Sequence, residues 1–156
     1  MGELAGRLAE LLPGLDHCFF ASDGSCAVEA ALKMACQWQA QAGHPERRRL
    51  LALERGYHGE TLLALAVGDC ELYGGPFAGM VSPAEKLRGL PETTGIGDLR
   101  WGAPLTDAEW APLERQLANF APETVAALIC EPVVQGAGGM RVLRPGLFRR
   151  LRERTA

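Results

Sequence analysis

Residues 22–25, Ser-Asp-Gly-Ser, separate an apolar run from a segment with helical periodicity, and their types suit the binding of an anion. A helix that begins at Ser25 or Cys26 leaves its first backbone N–H groups without intrahelical partners. These groups and the helix dipole together favour a phosphate. Gly24 allows the backbone to approach a ligand closely, and the Ser25 hydroxyl adds a donor. The alternative is an ordinary capped helix whose serine satisfies those amides internally.

Two aromatic ring systems follow the next apolar segment, which ends at Leu53. An open α/β sheet binds its ligands at the carboxyl ends of its strands, and Tyr57 and His58 are predicted to lie there. The Tyr57 ring is suited to stacking on a planar group. His58 is suited to supporting the turn by hydrogen bonding. The alternative for Tyr57 is simple coverage of a strand end.

Glu131 ends the apolar segment VAALIC, and its carboxylate is therefore predicted to lie at the same edge of the sheet. Pro132 forces the chain to leave the sheet in an extended conformation. The residues from Gln135 to Gly139 form a glycine-rich turn whose backbone is able to approach a ligand. The alternative is a plain glycine-rich connection. Neither this turn nor the 22–25 corner has the spacing of a dinucleotide-binding fingerprint or a P-loop.

Periodicity and turn residues predict the elements that position these groups. The predicted helices cover residues 4–12, 25–42, 60–67 and 106–120, and the predicted strands cover residues 17–21, 49–53 and 124–130. Residues 68–105 are predicted to be a long structured loop region. On the helix after the corner, Glu29 and Lys33 are four residues apart and are predicted to form a surface ion pair. The alternation of helices with near-continuous apolar strands predicts one α/β domain with a mostly parallel sheet and flanking helices.

Composition excludes several classes of function. With 16 Lys and Arg against 19 Asp and Glu, the chain has a net charge of −3 and no electrostatic reason to bind nucleic acid. Five cysteines without a CxxC pair or a histidine at ligand spacing predict reduced thiols and no metal site. Charged residues interrupt the N-terminal apolar positions, and no segment approaches the roughly 20 apolar residues of a membrane span. We therefore expect a cytoplasmic protein that does not associate with membranes.

Three ordered segments resemble the class III pyridoxal phosphate-dependent aminotransferases. They are FFASDGSCAVEAALKMACQW (19–38), GYHGET (56–61) and ALICEPVVQGAGGMRVLRPGLFRRLR (127–152). The resemblance covers nearly the whole chain. It implies the type I pyridoxal phosphate-dependent transferase fold, with residues 1–156 forming part of the large, cofactor-binding domain. It also implies a homodimer whose active sites lie at the subunit interface.

The resemblance implies a ping-pong amino transfer in which pyridoxal 5'-phosphate acts as the electron sink. It points to S-adenosylmethionine as the amino donor, 8-amino-7-oxononanoate as the acceptor and biotin biosynthesis as the setting. The residues expected to bind the cofactor are Gly24, Ser25, Tyr57, His58 and Glu131. Those expected to contact the substrate are Tyr57 and Gln135.

This family needs a lysine for its chemistry, and the sequence departs from it there. Lys33 and Lys86 are the only lysines, and neither lies in the family's lysine motif. We therefore expect no catalytic residue within 1–156, and we expect the chain to be an interior fragment that is inactive by itself. Two alternatives remain open at this point: a non-catalytic phosphate-binding module, and a class III aminotransferase with a different amino donor.

A second departure lies at the corner. Relatives usually have Asp-Ser-Gly-Ser where this chain has Ser-Asp-Gly-Ser, so that Asp23 brings a carboxylate one residue nearer the phosphate. Two like charges about 4 Å apart repel by roughly 1 kcal/mol in water. We expect this aspartate to weaken phosphate binding.

Overall fold

The computed structural model describes residues 2–93 and 105–155. Its main sheet has the strand order β2-β1-β3, where β1 is Arg49–Leu53, β2 is Glu85–Leu87 and β3 is Val125–Ile129. Both neighbours run parallel to β1. A separate antiparallel pair, β4 (Val134–Gln135) and β5 (Arg141–Val142), follows β3. The helices are α1 (Gly2–Leu11), α2 (Gly24–Gln41), α3 (Leu62–Val67), α4 (Glu71–Gly74), α5 (Asp107–Ala118) and α6 (Pro145–Thr155).

The central strand β1 is covered on both faces, which explains its unbroken apolar sequence. Leu51 and Leu53 contribute to a core cluster that also contains the buried side chains of α5 and α6, among them Leu113 and Leu147. Ala52 points to the opposite face, where it packs with Leu32 of α2 and Val67 of α3. Helices on both faces of a parallel sheet confirm the predicted α/β class.

Helix α5 begins with a reciprocal capping box. The Thr106 side chain accepts from the backbone N–H of Glu109, and the Glu109 carboxylate accepts from the backbone N–H of Thr106. Two N–H groups that a helix start would leave unpaired are thereby satisfied. The helix ends at Ala118, two residues before its predicted end.

Other predictions of secondary structure were wrong. Residues 17–21 form no strand, and the described residues offer them no strand to pair with, so that Phe19 remains 65% exposed. Part of the predicted 68–105 loop is regular, because it contains α4, a 3-10 turn at Gly75–Phe77 and β2. Residues 94–104 of that predicted loop lie outside the described residues.

Lys86 of β2 is a half-buried amine that fixes the end of α3. Its Nζ donates to the backbone oxygens of Ala66 at 2.9 Å and Ala84 at 3.1 Å. Burial lowers its pKa from the ordinary 10.5 to about 8, with a smaller opposing effect of Asp69. The ammonium therefore stabilises the last turn of α3 while its own desolvation opposes the charge.

This lowered pKa predicts a pH dependence of stability. Between about pH 8 and 10.5 the unfolded chain binds more protons at Lys86 than the folded chain, so the free energy of unfolding should rise with pH in this window. Urea unfolding at pH 7.5 and pH 9.5, compared between the wild type and Lys86→Met, measures this contribution. The wild type should gain more stability on going to pH 9.5 than the variant. Equal gains would contradict the assignment.

No helix of the described residues has the length and apolarity that crossing a membrane requires. Within the same residues, no three His, Cys, Asp or Glu side chains are grouped so that they could hold a metal ion. The five cysteines are free thiols.

Candidate functional site

The start of α2 is capped by Asp23 rather than by a serine. The Asp23 carboxylate accepts from the backbone N–H of Cys26 at 2.8 Å and from the Ser22 hydroxyl at 3.1 Å. These hydrogen bonds, above all the one from Cys26, hold the pKa of Asp23 below its usual value. The side chain is exposed and negatively charged at neutral pH. An ordinary capped helix therefore describes part of the corner, and the cap leaves the Ser25 side chain available for another contact.

Ser25 joins α2 to the turn that follows β1. Its Oγ accepts from the backbone N–H of Glu60 at 3.2 Å. A hydroxyl that accepts in this way keeps its own O–H to donate to a ligand. The space over the helix start is open, because a Cβ on Gly24 would meet no atom within 4 Å. Gly59, by contrast, lies so close that its Cβ would be 2.3 Å from the Ser25 Oγ.

The Tyr57 ring stands at the edge of the sheet beside an open cavity of about 420 Å³. Its hydroxyl donates to the Glu60 Oε1 at 2.9 Å, and this hydrogen bond to a carboxylate raises the pKa of the phenol. The ring also contacts Tyr73, with centroids 4.9 Å apart and an interplanar angle of 53°. Both rings line the cavity, together with Cys70.

Glu131 connects the ends of β1 and β3. Its Oε1 accepts from the backbone N–H of Tyr57 at 2.8 Å, and its Oε2 accepts from the backbone N–H of Gly136 at 3.2 Å. Each carboxylate oxygen thus holds one main-chain donor. The carboxylate fixes the start of the Tyr57 turn relative to the loop that leaves β3.

Gln135 is completely buried, and its Nε2 donates to the backbone oxygen of Glu54 at 2.7 Å. Its predicted contact with substrate stays a prediction, and the structure gives the amide a different contact, inside the protein. Close packing continues at Gly138, where a Cβ would lie 2.2 Å from the backbone oxygen of Arg55. The loop after β3 is therefore attached to the loop after β1 at several points.

His58 is largely buried, and burial lowers its pKa, so that the ring is neutral at pH 7. Its Nε2 is buried without a hydrogen-bond partner and lies 3.0 Å from the position that a Cβ on Gly56 would take. The imidazole therefore packs over the backbone of Gly56. The predicted hydrogen bond through which it would support the turn is not made by this nitrogen.

The structure brings the predicted groups into one connected set. Glu131 holds the Tyr57 backbone, the Tyr57 hydroxyl binds Glu60, and the Glu60 backbone binds Ser25 at the start of α2. Glu60 and Glu29 were not among the predicted site residues. The Glu29 carboxylate, predicted to pair with Lys33, faces α3 instead and accepts from Thr61. The one available signal was its position four residues after Ser25, on the same face of the helix.

The Asp23 cap predicts that Asp23→Ser tightens the binding of inorganic phosphate. The change removes a negative charge at the helix start, and serine caps helices about as well as aspartate, so stability should change by less than about 0.5 kcal/mol. Calorimetric titration at low ionic strength measures the affinity. Glu114→Gln, which removes an exposed charge from α5, is the matched control and should have no effect. An affinity that is unchanged or weaker in Asp23→Ser would refute the prediction.

Known proteins resemble this chain over nearly its whole length. Residues 1–156 match the family model described as aminotransferase class III. The adenosylmethionine-8-amino-7-oxononanoate aminotransferase of Synechococcus elongatus is 41% identical over 154 residues, which are 97% of this chain and 34% of that protein. The enzyme of the same name from Geobacter sulfurreducens is 37% identical over 162 residues, which are 96% of this chain and 33% of that protein.

A solved structure is similar over the same extent. The amine transaminase of an uncultivated Pseudomonas species, determined in its PLP-bound form, superposes with a TM-score of 0.79 at 37% identity and covers 97% of this chain and 34% of that one. This similarity confirms the predicted fold class, the type I pyridoxal phosphate-dependent transferase fold. The chain spans about a third of the length of the curated relatives it matches. It belongs to the class III aminotransferase family.

Proposed function

We propose that this chain forms part of the large, cofactor-binding domain of a pyridoxal phosphate-dependent aminotransferase. The complete protein would transfer an amino group from S-adenosylmethionine to 8-amino-7-oxononanoate, giving 7,8-diaminononanoate for biotin synthesis. The observation that supports the site most directly is the connected set of contacts from Ser25 through Glu60 and Tyr57 to Glu131. The names of the curated relatives support the choice of substrates.

The residues at this edge fit pyridoxal 5'-phosphate. The open space over Gly24 and the unused O–H of Ser25 suit the phosphate, and the Tyr57 ring beside the cavity suits the pyridine ring. When bound, the cofactor supplies an electron sink for amino transfer. Lys86 does not fit the role of the family's catalytic lysine, because its Nζ donates to the backbone oxygens of Ala66 and Ala84. We propose that this lysine lies outside residues 1–156.

Each residue of the site has a defined task in this proposal. The α2 start and the Ser25 hydroxyl bind the phosphate dianion, and the helix dipole adds to the attraction. Tyr57 covers one face of the ring, and Glu131 keeps the Tyr57 backbone in place. The neutral His58 ring packs over the backbone of Gly56 and adds no positive charge to the site. We also propose a homodimer, as the resemblance implies, and a cytoplasmic location, as the composition of the sequence indicates.

Binding and activity measurements on the complete polypeptide test the proposal. Ser25→Ala should weaken pyridoxal phosphate binding by about tenfold, which corresponds to the loss of one hydrogen bond to a charged group, about 1.5 kcal/mol. Ser22→Ala, which removes a hydroxyl whose one hydrogen bond among the described residues goes to Asp23, is the control. An unchanged cofactor affinity in Ser25→Ala would exclude the proposed phosphate site.

A second candidate function is an amine transaminase with a different donor, which the similarity to the Pseudomonas structure favours. Amino transfer assays with S-adenosylmethionine and with a simple primary amine separate the two. Activity with the primary amine alone would select the second function. Cofactor binding without activity towards either donor would instead favour the non-catalytic module.

A further inference from the structure

Helix α2 contacts the segment 59–63 through one of its faces. Ser25 and Glu29 are four residues apart and therefore neighbours on the helix surface. Ser25 contacts Gly59 and accepts from the backbone N–H of Glu60, and Glu29 contacts the residues that follow. Glu60 thus lies between two points of attachment to the same helix.

The second attachment replaces the cap that α3 would otherwise make for itself. Thr61 occupies the N-cap position of α3, yet its side chain accepts no hydrogen bond from that helix. Its hydroxyl donates to the Glu29 Oε2 at 2.6 Å, and the same oxygen accepts from the backbone N–H of Leu63 at 3.1 Å. The carboxylate of α2 therefore satisfies an unpaired N–H at the start of α3, where the helix dipole also favours a negative charge.

The anchored segment carries the partner of the Tyr57 phenol. Glu60 is exposed, and an exposed carboxylate without support samples many rotamers in water. In the structure its Oε1 accepts from the Tyr57 hydroxyl at 2.9 Å. The attachments on either side of Glu60 hold its backbone in the position from which this hydrogen bond is possible.

We propose that Glu29 is a positioning residue: by holding Thr61 and Leu63 it fixes the Glu60 carboxylate, which in turn orients the Tyr57 phenol. The hydrogen bonds of Glu29 within the described residues go to Thr61 and Leu63 and none goes to Tyr57, so it acts through the segment 60–63. The proposal rests on contacts within the protein and needs no bound cofactor. The experiment below therefore tests the role of Glu29 independently of the proposed function.

The pKa of the Tyr57 phenol reports on this arrangement. The hydrogen bond to Glu60 is the main cause that raises it, and burial and the charges of Glu60, Tyr73 and Cys70 add to the effect. If Glu60 is released, the phenol should titrate closer to its ordinary value of 10.0. Loss of stability alone would not move this midpoint in a variant that remains folded.

The test is a pH titration of carbon-13-labelled tyrosine followed by NMR, with the Tyr57 signal assigned from Tyr57→Phe. Glu60→Gln removes the charge itself and defines the full downward shift of the midpoint. Glu29→Leu should produce most of that shift, whereas Glu29→Gln keeps an oxygen that accepts from Thr61 and should produce little. Thr61→Val should resemble Glu29→Leu, and Thr61→Ser should resemble the wild type.

A folded Glu29→Leu variant whose Tyr57 midpoint equals that of the wild type would overturn the proposal. If Glu29→Leu does not fold, the comparison of Thr61→Val with Thr61→Ser decides the question. Valine has the shape of threonine and differs from it only by a methyl group in place of the hydroxyl. Circular dichroism at each pH verifies that the variants stay folded. The affinity for inorganic phosphate, measured in the same variants, tests the proposed function separately. The groups at Gly24 and Ser25 that are proposed to bind phosphate are unchanged in these variants.

Discussion

Replacing Gly59 with alanine is expected to destabilise the protein by about 3 kcal/mol, the sum of a strained backbone conformation and an overpacked contact. Gly59 has a φ of +117°, a region that other residues rarely occupy. Its added Cβ would lie 2.3 Å from the Ser25 Oγ and 2.8 Å from the Ser25 Cα. A shift of the side chain alone cannot relieve the contact with Cα, so the turn must move away from α2.

Movement of the turn should also weaken the site. The hydrogen bond from the Glu60 backbone to Ser25 would lengthen, and the phosphate affinity should fall along with the free energy of unfolding. Gly139→Ala is the matched control, because Gly139 has a similar φ of +104° but no atom within 4 Å of its Cβ. Urea unfolding and phosphate titration of both variants measure the effects. Equal stability losses in the two variants would show that strain, and not the contact with Ser25, dominates.

Replacing Glu131 with alanine is expected to cost about 2 kcal/mol, because two main-chain N–H groups in a partly buried region lose their acceptor. Those groups belong to Tyr57 and Gly136, on loops that leave different strands. Without the carboxylate, the Tyr57 backbone loses its direct hydrogen bond to the residue that follows β3. Pyridoxal phosphate affinity should therefore fall by more than the stability loss alone explains, as Tyr57 loses its fixed position.

Glu131→Gln separates the two oxygens of this carboxylate. The amide keeps one acceptor and places an NH₂ group against the other donor, so the variant should lose at least half of the stability that Glu131→Ala loses. Glu123→Ala, at an exposed position ahead of β3, is the control for removal of a negative charge. Denaturant unfolding and cofactor titration give the two readouts. If Glu131→Ala binds pyridoxal phosphate as the wild type does, the carboxylate has no part in placing Tyr57.

The strands illustrate what the sequence could and could not predict. The bounds of β1 were predicted correctly because helices cover both of its faces, which makes its apolar run continuous. The edge strand β2 was missed, because Glu85 and Lys86 are polar and only Leu87 is fully buried. Residues 17–21 were predicted as a strand from their apolar character, which cannot show whether a partner strand is present. Whether a strand finds a partner depends on the tertiary fold, which the local sequence does not contain.

At the site, too, local patterns indicated some residues, whereas residues that depend on distant partners were not predicted. Ser25, Tyr57 and Glu131 were predicted to lie at one edge because helix starts and strand ends can be read from local patterns, and the structure links them there. Glu60 and Glu29 were missed because their partners lie far along the chain: 35 residues separate Glu60 from Ser25, and 32 separate Glu29 from Thr61. The role of Asp23 as the cap was likewise missed, since the geometry of the carboxylate decided between several polar residues at the corner.

Three of the hydrogen bonds that unite this edge have main-chain donors. The N–H groups of Tyr57, Glu60 and Gly136 all contribute, and every non-proline residue possesses such a group. These three donors therefore persist when the side chains at positions 57 and 60 are exchanged. A substitution at position 57 would alter the lining of the cavity and leave the main-chain links beneath it in place.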